Sequence, residues 1–290
     1  MIIDGKAIAK EIKNELAQKV ETFLQEGKRA PHLAAILVGN DGASQTYVDS
    51  MKKNAKEVGY ICSIYKFPED ITEQEVIDAL VFLNNDSEVD GYIIQLPLPK
   101  HISVENLLPY INPDKDVDCF HPHNMGNLVL GKDCYYPATP YAVMELLKRA
   151  NIEVAGKNCV VVGRSNIVGK PLALLLSQNS SEANATVTLC HSRTSDLKAV
   201  CARAEILVVA IGKPEMINAD YIKPNAVVID VGIHRVSDSS QEKGYRICGD
   251  VKYDEVAQLA SAITPVPGGV GSVTMSCLLL NVMKAYQKNI

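Results

Sequence analysis

Short apolar runs alternate with amphipathic segments along most of the chain. The apolar runs predict β-strands at residues 32–39, 62–68, 91–97, 159–163, 185–191, 205–212, 226–232 and 261–267. Segments with helical spacing of apolar positions predict helices at residues 5–26, 43–58, 72–85, 140–150, 170–178, 195–203, 252–259 and 272–287. The strands carry Val and Ile without polar alternation, as parallel strands do when both of their faces are covered. This order predicts βαβ units and open, doubly wound α/β sheets.

The alternation breaks once, between Leu96 and Pro140. This stretch is rich in Pro, Asn, Asp and Gly and has no clear period, so we predict an irregular linker or functional loop. Near its start, QLPLP at residues 95–99 predicts a rigid turn with a cis bond. The break predicts a first domain at residues 1–139 and a second at residues 140–271.

Composition narrows the class of protein. The 290 residues are 47% hydrophobic and 22% charged, as expected of a globular protein with one large or two ordinary domains. A net charge of −5 does not suit a nucleic-acid-binding surface. The sequence shows neither a basic amphipathic helix nor an apolar segment long enough to span a membrane, so we predict no membrane association. The N-terminus lacks a signal-peptide pattern. Eight scattered cysteines without a C-x-x-C pair predict reduced, mostly buried thiols in a cytoplasmic protein.

The strongest chemical signal is NCVVVGRSNIVGKPLALLL at residues 158–176. A buried strand ends at Gly163 and a helix begins near Pro171, so free N–H groups at the helix start can bind an anion. Ser165 and Val168 break the G-x-G-x-x-G pattern, and the spacing from Gly163 to Gly169 is one residue too long for a P-loop. The context therefore predicts a nucleotide site but not a kinase or ATPase.

The next strand indicates which nucleotide binds. It ends as LCHSRT at residues 189–194, without the acid that usually holds the ribose hydroxyls of NAD. Arg164, Ser192 and Arg193 supply cations and a hydroxyl that suit a 2′-phosphate, which predicts NADP. The alternative is that both arginines are solvated surface charges.

Three other patterns carry weaker signals. His121 and His123 could form a metal pair, but no cluster of Cys or carboxylates completes a site, so we predict no metal. The aspartates of PDKDVD, residues 113–118, are typical of a loop in which carboxylates bond to their own backbone. The glycine-rich PVPGGVG, residues 265–271, predicts close approach of its backbone to a ligand or to a neighbouring segment.

Taken together, these motifs resemble the FolD-type methylenetetrahydrofolate dehydrogenase/cyclohydrolase family. The resemblance covers essentially the whole chain, with matching segments at residues 39–48, 91–99, 113–118, 137–140, 160–171, 185–194, 227–233, 249–251 and 263–271. It implies two α/β domains with a cleft between them. The N-terminal domain would bind folate and be completed by the C-terminal helix at residues 272–290, and the other would be a Rossmann-like NADP domain with a parallel sheet.

The resemblance also implies an activity in one-carbon metabolism. A homodimer would oxidise methylenetetrahydrofolate with NADP⁺ and then hydrolyse the methenyl product to formyltetrahydrofolate. Tyr47 would stack on the folate, Asp118 would accept hydrogen bonds from the pterin edge, and Gln95 would lie beside the reacting carbon. The implied folate contacts are Ser44, Tyr47, Ile94, Gln95, Leu96, Asp118, Pro267, Gly268, Gly269, Val270 and Gly271. The implied NADP contacts are Gly163, Arg164, Ser165, Val168, Ser192, Arg193, Ile233 and Thr274.

The sequence departs from the family motif four residues after Tyr47. The family has a lysine there, which handles protons most plainly in the hydrolytic step, and this chain has Met51. A thioether neither gives nor accepts a proton at neutral pH, and Lys52 and Lys53 lie about 100° and 200° around the helix. Hydride transfer depends more on the orientation of two bound molecules. We therefore predict a dehydrogenase with weak or absent cyclohydrolase activity.

Three alternative functions stay open. Another group or a water chain could replace the lysine and keep both activities, the chain could bind folate and NADP without turnover, or it could be an unrelated NADP dehydrogenase. Other departures are Cys119 and Ala142 where glycine is usual, and Ser272 and Val273 where Pro and Met are usual. The first two matter if those glycines have a positive φ, which a Cβ disfavours.

Overall fold

The computed structural model describes residues 1–241 and 243–290 of the chain. The helices are α1 (Gly5–Gln25), α2 (Gly42–Glu57), α3 (Glu73–Asn85), α4 (Val104–Leu107), α5 (Pro122–Val129), α6 (Ala138–Arg149), α7 (Gly169–Ser177), α8 (Leu197–Cys201), α9 (Tyr253–Val256) and α10 (Val270–Lys288). The strands are β1 (His32–Val38), β2 (Ile61–Phe67), β3 (Gly91–Ile94), β4 (Asn158–Val162), β5 (Thr186–Cys190), β6 (Ile206–Val209), β7 (Val227–Asp230), β8 (His234–Ser237), β9 (Tyr245–Cys248) and β10 (Ala262–Ile263).

Contacts within the chain divide it into two compact units. The large unit comprises Met1–Lys10, Leu128–Lys132 and Pro137–Cys277, and the small unit comprises Glu11–Asn127, Asp133–Tyr136 and Leu278–Ile290. The domain bounds drawn from the sequence, at residues 139 and 271, stay a prediction.

The small unit contains a three-stranded parallel sheet in the order β2-β1-β3. Six of the seven residues of the central strand β1 are buried, because its apolar side chains are covered on both faces. The chain returns through α2 and α3 after the first and second strands. A capping box between Thr72 and Glu75 satisfies free N–H groups where α3 begins.

The large unit contains a five-stranded parallel sheet in the order β10-β7-β6-β4-β5. The central strands β4 and β6 pair from Cys159 opposite Ile206 to Val162 opposite Val209. Their side chains belong to a buried cluster that includes Val160, Leu207 and Val228. Because all five strands are parallel, the loops that follow β4, β5 and β6 leave the same edge of the sheet.

The predicted rhythm of strands and helices is confirmed, although several elements are shorter than predicted. For example, the strand predicted at residues 205–212 is only Ile206–Val209, and the one at 261–267 is only Ala262–Ile263. Short strands such as these end where the chain turns out of the sheet to form loops.

Two regions differ from the sequence prediction. The stretch predicted to be irregular contains α4, a 3-10 turn at Leu108–Tyr110, and α5. Helix α5 begins at Pro122, which suits a first helical position, but Gly126 in its interior lowers its propensity, so the helical signal in the sequence is weak there. Strands β8 and β9 form an antiparallel hairpin that was not predicted, because each strand has only four residues.

The peptide bond before Pro97 and the cysteines agree with two further predictions. The Leu96–Pro97 bond is cis, as predicted for the QLPLP turn, and a second cis bond joins Val266 and Pro267. All eight cysteines are free and seven of them are buried. Among residues 1–241 and 243–290, no helix combines the length and apolar character needed to span a membrane.

Candidate active site

Helix α2 carries the first group of candidate residues in the small unit. Its N-cap, Asp41, accepts a 2.8 Å hydrogen bond from the Ser44 N–H and so fixes the first turn. Ser44 is buried, and its hydroxyl lies 3.4 Å from the carbonyl oxygen of Leu96. Tyr47 follows on the same side of the helix and is half-buried.

Met51 lies on the buried face of α2. Its side chain is 0% exposed, and Val48 and Ala55 are buried on the same helix. Lys52 and Lys53 lie on other sides of the helix, as predicted, and both are exposed. Within α2, every residue of which the structure describes, no ammonium group shares the buried face with Met51.

The end of β3 places Gln95 directly after the strand. Ile94 pairs with Ile36 of β1, and the Gln95 N–H donates a 2.9 Å hydrogen bond to the Ile36 carbonyl. The Gln95 side-chain amide donates a 2.7 Å hydrogen bond to the carbonyl of Leu96. The backbone at Gln95 is therefore held by the sheet, while its half-buried side chain bonds to the neighbouring residue Leu96.

The aspartates of the PDKDVD segment differ in burial and in hydrogen bonding. Asp116 is buried and accepts hydrogen bonds from the Phe120 and His121 N–H groups and from the Asn124 amide, as predicted for a carboxylate that organises a loop. Asp118 is half-buried. Burial raises the pKa of Asp118 to about 6, and the charge of Asp116 contributes in the same direction.

Lys115 anchors this segment from the other side. Its buried ammonium group donates hydrogen bonds of 2.9 Å to the Leu83 carbonyl and 2.6 Å to the Asp86 carbonyl, where α3 ends. Burial lowers the pKa of this group. The lysine thus satisfies carbonyls at a helix C-terminus and ties the segment before Asp118 to the body of the small unit.

Tyr47 and Asp118 interact electrostatically. Burial raises the pKa of the Tyr47 phenol well above its ordinary value, and the charge of Asp118 raises it further. Tyr47 is therefore neutral at physiological pH. Ile94, Leu96 and Asp118 line one cavity of about 10 Å³, together with apolar neighbours such as Phe120. That volume accommodates no more than about one water molecule.

The glycine-rich segment lies in the large unit. It lines a cavity of about 200 Å³ whose walls include Ile233, Pro267, Gly268, Gly269, Val270 and Gly271. A Cβ atom on Gly269 would lie 2.5 Å from the Pro265 carbonyl oxygen, so a side chain cannot be accommodated there. The close approach predicted for this segment is thus made by protein backbone at Gly269.

Two candidate NADP contacts lie near this segment. Ile233 is 68% exposed beside the cavity. Thr274 is in the first turns of α10, where its hydroxyl donates a 3.3 Å hydrogen bond to the Gly271 carbonyl. Thr274 is not among the residues that line the cavity.

The loop between β4 and α7 forms one wall of a cavity of about 290 Å³ in the large unit. Gly163, Arg164 and Ser165 line this wall, and Ser192 joins them from the loop after β5. Gly163 has a φ of 126°, and a Cβ there would lie 2.1 Å from the Ala210 carbonyl oxygen, so only glycine fits. The Ser165 hydroxyl accepts a 3.1 Å hydrogen bond from the Val168 N–H and fixes the turn that leads into the helix.

Val168 and Arg193 are outside the lining of this cavity. The Arg193 side chain is exposed, and the Arg193 backbone N–H donates a 3.1 Å hydrogen bond to Nδ1 of His191. The sequence reasoning missed a wall of the cavity, formed by Ala210, Ile211, Lys213, Met216, His191 and Leu197. The Gly-Lys-Pro that follows β6 was an available signal, because loops after parallel strands meet at one edge.

Comparison with known proteins identifies the family. Residues 3–118 match the tetrahydrofolate dehydrogenase/cyclohydrolase catalytic domain, and residues 137–290 match the NAD(P)-binding domain of the same family. The chain is 51% identical to the bifunctional protein FolD of Cytophaga hutchinsonii over 284 residues, which covers 98% of each chain. This chain belongs to the tetrahydrofolate dehydrogenase/cyclohydrolase family.

Other members of the family agree over the full length. The bifunctional protein FolD of Bacteroides thetaiotaomicron is 50% identical and matches 100% of this chain and 99% of its own. The Campylobacter jejuni FolD structure is 42% identical, with a TM-score of 0.93 and coverage of 100% of this chain and 99% of that one. A Trypanosoma brucei FolD structure, in complex with NADP and an inhibitor, is 39% identical, with a TM-score of 0.90 and coverage of 99% and 97%. The predicted two-domain α/β fold is confirmed.

The departures from the family motifs have different structural consequences. Cys119 is buried and has a φ of 57°, so it occupies the left-handed region that glycine tolerates and a Cβ disfavours. Ala142 lies inside α6, where no positive φ is needed. Val273 is fully buried in α10, and nothing in the structure explains Ser272.

Proposed function

We propose that this protein oxidises methylenetetrahydrofolate to methenyltetrahydrofolate with NADP⁺ and has little or no cyclohydrolase activity. Membership of the tetrahydrofolate dehydrogenase/cyclohydrolase family supports the dehydrogenase, with a folate and a nicotinamide nucleotide as its ligands. Met51 supports the loss of hydrolysis, and it is the observation on which that part of the proposal rests.

The large unit has a cavity whose chemistry fits a phosphorylated nucleotide. Gly163, which lies against the Ala210 carbonyl, gives the loop before α7 no side chain at its start. Arg164, Ser165 and Ser192 supply a cation and two hydroxyls to the same cavity. These residues would hold the NADP phosphates. When bound, NADP⁺ would supply the hydride acceptor of the reaction.

The small unit supplies groups that suit a folate. The neutral, half-buried Tyr47 ring offers an apolar face for stacking, and the Asp118 carboxylate offers two acceptor oxygens to the N–H groups of a pterin edge. Gln95, fixed through its backbone to β1, would orient the reacting part of the substrate. Orientation of this kind is the main requirement for transfer between two bound molecules.

Hydrolysis of the methenyl cation needs a group that moves protons to and from water. The family assigns this task to the lysine that Met51 replaces, and Lys52 and Lys53 are exposed on other sides of α2. A positioned general acid or base typically contributes about 10²–10⁴-fold to a rate. We therefore expect the methenyl product to be released faster than it is hydrolysed.

The test measures the two steps separately. Purified protein receives methylenetetrahydrofolate and NADP⁺, and NADPH and methenyltetrahydrofolate are followed independently. We expect NADPH to form while the methenyl product accumulates and decays at the rate seen in buffer. The Met51→Lys variant should raise the hydrolysis rate, and a Ser50→Lys variant, which adds a lysine at an exposed position of α2, should not.

Each other outcome would change the proposal. Rapid methenyl hydrolysis by the unmodified protein, equal to that of the Met51→Lys variant, would refute the loss of cyclohydrolase activity. Saturable binding of both ligands without NADPH formation would instead indicate a binding protein that has lost turnover.

One observation favours a second candidate, the fully bifunctional enzyme. The pKa of Asp118 is raised to about 6, which is close enough to neutrality for a carboxyl group to exchange protons during turnover. In that case hydrolysis would follow a pH profile with an apparent pKa near 6, and Asp118→Asn would remove it. A hydrolysis rate that does not depend on pH in this range would exclude this role.

The same resemblance supports a cytoplasmic homodimer as part of the proposal. The eight free cysteines suit a reducing compartment. Light scattering of the purified protein should give twice the chain mass of 31.5 kDa. A mass of one chain at micromolar concentration would contradict the dimer.

A further inference from the structure

Asp250 is a completely buried carboxylate that binds a loop backbone in the large unit. One of its oxygens accepts hydrogen bonds from the N–H groups of Ile211, at 2.8 Å, and Gly212, at 3.1 Å. Its other oxygen accepts a 2.7 Å bond from the Lys213 N–H and lies 2.7 Å from Nε2 of His234. Both oxygens are thus fully engaged, and three consecutive amides point at one carboxylate.

Converging backbone amides of this kind form a concave anion site, called a nest, in many phosphate-binding loops. Here an internal carboxylate occupies the nest. Gly212 has a φ of +70°, a conformation that L side chains rarely adopt and that bends the loop around Asp250. The loop therefore takes its shape from Asp250 rather than from regular secondary structure.

A second buried carboxylate holds Asp250 in place. Asp230 accepts hydrogen bonds from the Asp250 N–H at 3.0 Å and from the Val251 N–H at 2.9 Å. A Cβ on Gly249 would lie 1.9 Å from an Asp230 oxygen, so only glycine fits at the position before Asp250. Two buried carboxylates thus fix the segment opposite the loop at residues 211–213.

That loop is part of the wall of the 290 Å³ cavity. Ile211 and Lys213 line the cavity on the side that follows β6, and Gly163 and Arg164 line it on the side that follows β4. Gly163 lies against Ala210, the residue before the loop. Displacement of the loop would therefore change the width of the cavity beside the predicted phosphate contacts.

We propose that Asp250 is a positioning residue for NADP binding, which it serves by holding residues 211–213 as a preformed wall of the cofactor cavity. The inference rests on the proposed function, because it takes NADP as the ligand of that cavity. Asp250 itself is not exposed to the cavity and touches neither substrate nor cofactor in this role. Its effect is to remove the entropy cost of ordering the loop when the ligand binds.

The test replaces Asp250 by Asn in the full-length protein. Asparagine has the same shape as aspartate, but an NH₂ group replaces one of the two carboxylate oxygens. That group cannot accept the hydrogen bonds that the replaced oxygen accepts in Asp250. We expect the Kd for NADPH, measured by its own fluorescence, and the KM for NADP⁺ to rise at least tenfold. The kcat at saturating NADP⁺ and the KM for methylenetetrahydrofolate should change less than about threefold. An Asp254→Asn variant, at an exposed position, is the control and should behave as the unmodified protein.

Amide hydrogen exchange measures directly how firmly the loop at residues 211–213 is held. The backbone N–H groups of residues 211–213 should exchange faster in Asp250→Asn, while those of β4 and β6 stay protected. If Asp250→Asn does not fold, Gly212→Ala strains the same loop without changing the carboxylate and should raise the Kd for NADPH several-fold. An unchanged NADPH affinity in whichever variant folds would overturn the inference.

Failure of the inference differs from failure of the proposed function. If the unmodified protein neither binds NADPH nor reduces NADP⁺, the proposed cofactor is wrong and the inference falls with it. If the unmodified protein does both and the loop variants bind NADPH equally well, only the role of Asp250 is wrong.

Discussion

The Asp118→Asn substitution should make the protein more stable and less active. Burial and the nearby Asp116 raise the pKa of Asp118 to about 6 from its ordinary 3.8. The native state therefore binds a proton more tightly than the unfolded state does, and stability falls as the pH rises from below 3.8 to above 6. At neutral pH the ionised carboxylate is a cost to folding that a neutral amide of the same shape does not carry.

The size of this effect follows from the same values. The difference between 6 and 3.8 corresponds to about 3 kcal/mol at neutral pH. Because Asp118 is only half-buried, solvent screening reduces the expected gain to about 1–2 kcal/mol. At pH 5.0 native Asp118 is mostly protonated, so roughly half of the gain should disappear. A carboxylate that destabilises the fold at neutral pH is expected where a ligand needs a charged acceptor.

Urea unfolding of the unmodified protein and of Asp118→Asn, at pH 7.5 and pH 5.0, measures this difference. An Asp114→Asn variant, at an exposed position of the same PDKDVD segment, is the control and should leave stability unchanged. Dehydrogenase activity of Asp118→Asn should fall at least tenfold, since its amide N–H₂ faces the N–H donors of the pterin. A variant that is less stable than the unmodified protein at pH 7.5, or whose stability gain does not shrink at pH 5.0, would refute the reasoning.

Three further substitutions test other parts of the structure. Lys115→Met should lower the free energy of unfolding by about 3 kcal/mol in urea titration, because two helix carbonyls lose a charged donor. The exposed Lys19→Met is its control and should have little effect. Arg164→Ala should raise the KM for NADP⁺ at least tenfold while changing the weaker reaction with NAD⁺ much less; equal effects on both would contradict a 2′-phosphate contact. Tyr47→Phe should keep kcat/KM within about threefold and Tyr47→Ala should lower it at least tenfold, since the ring face and not the hydroxyl is expected to bind folate; a large loss in Tyr47→Phe would show that the hydroxyl matters.

Much of the architecture was predictable from local sequence. The Val-rich runs that became β4 and β6 have no polar alternation, and this is a property of neighbouring residues that a parallel strand requires. The loop from Gly163 to Gly169 could be predicted to bind an anion because a strand end, glycines and a helix start follow one another directly. Met51 could be recognised only through the resemblance to the family, whose motif has a lysine four residues after the tyrosine.

The features that were missed depend on contacts between distant parts of the chain. The order of strands brings the loop after β6 beside the loop after β4, and no local pattern states that order. The pKa of Asp118 follows from desolvation by the folded chain, so the same DVD sequence in an exposed loop would behave differently. The left-handed conformation of Cys119 runs against its own preference and is imposed by its surroundings. Most strands and helices, and the identities of the chemical groups, could be predicted from the sequence because adjacent residues encode them, whereas α4, α5 and the β8–β9 hairpin could not. Which loops meet, which carboxylates are buried and how strongly each carboxylate holds a proton follow from packing between residues far apart in the chain, so only the folded structure shows them.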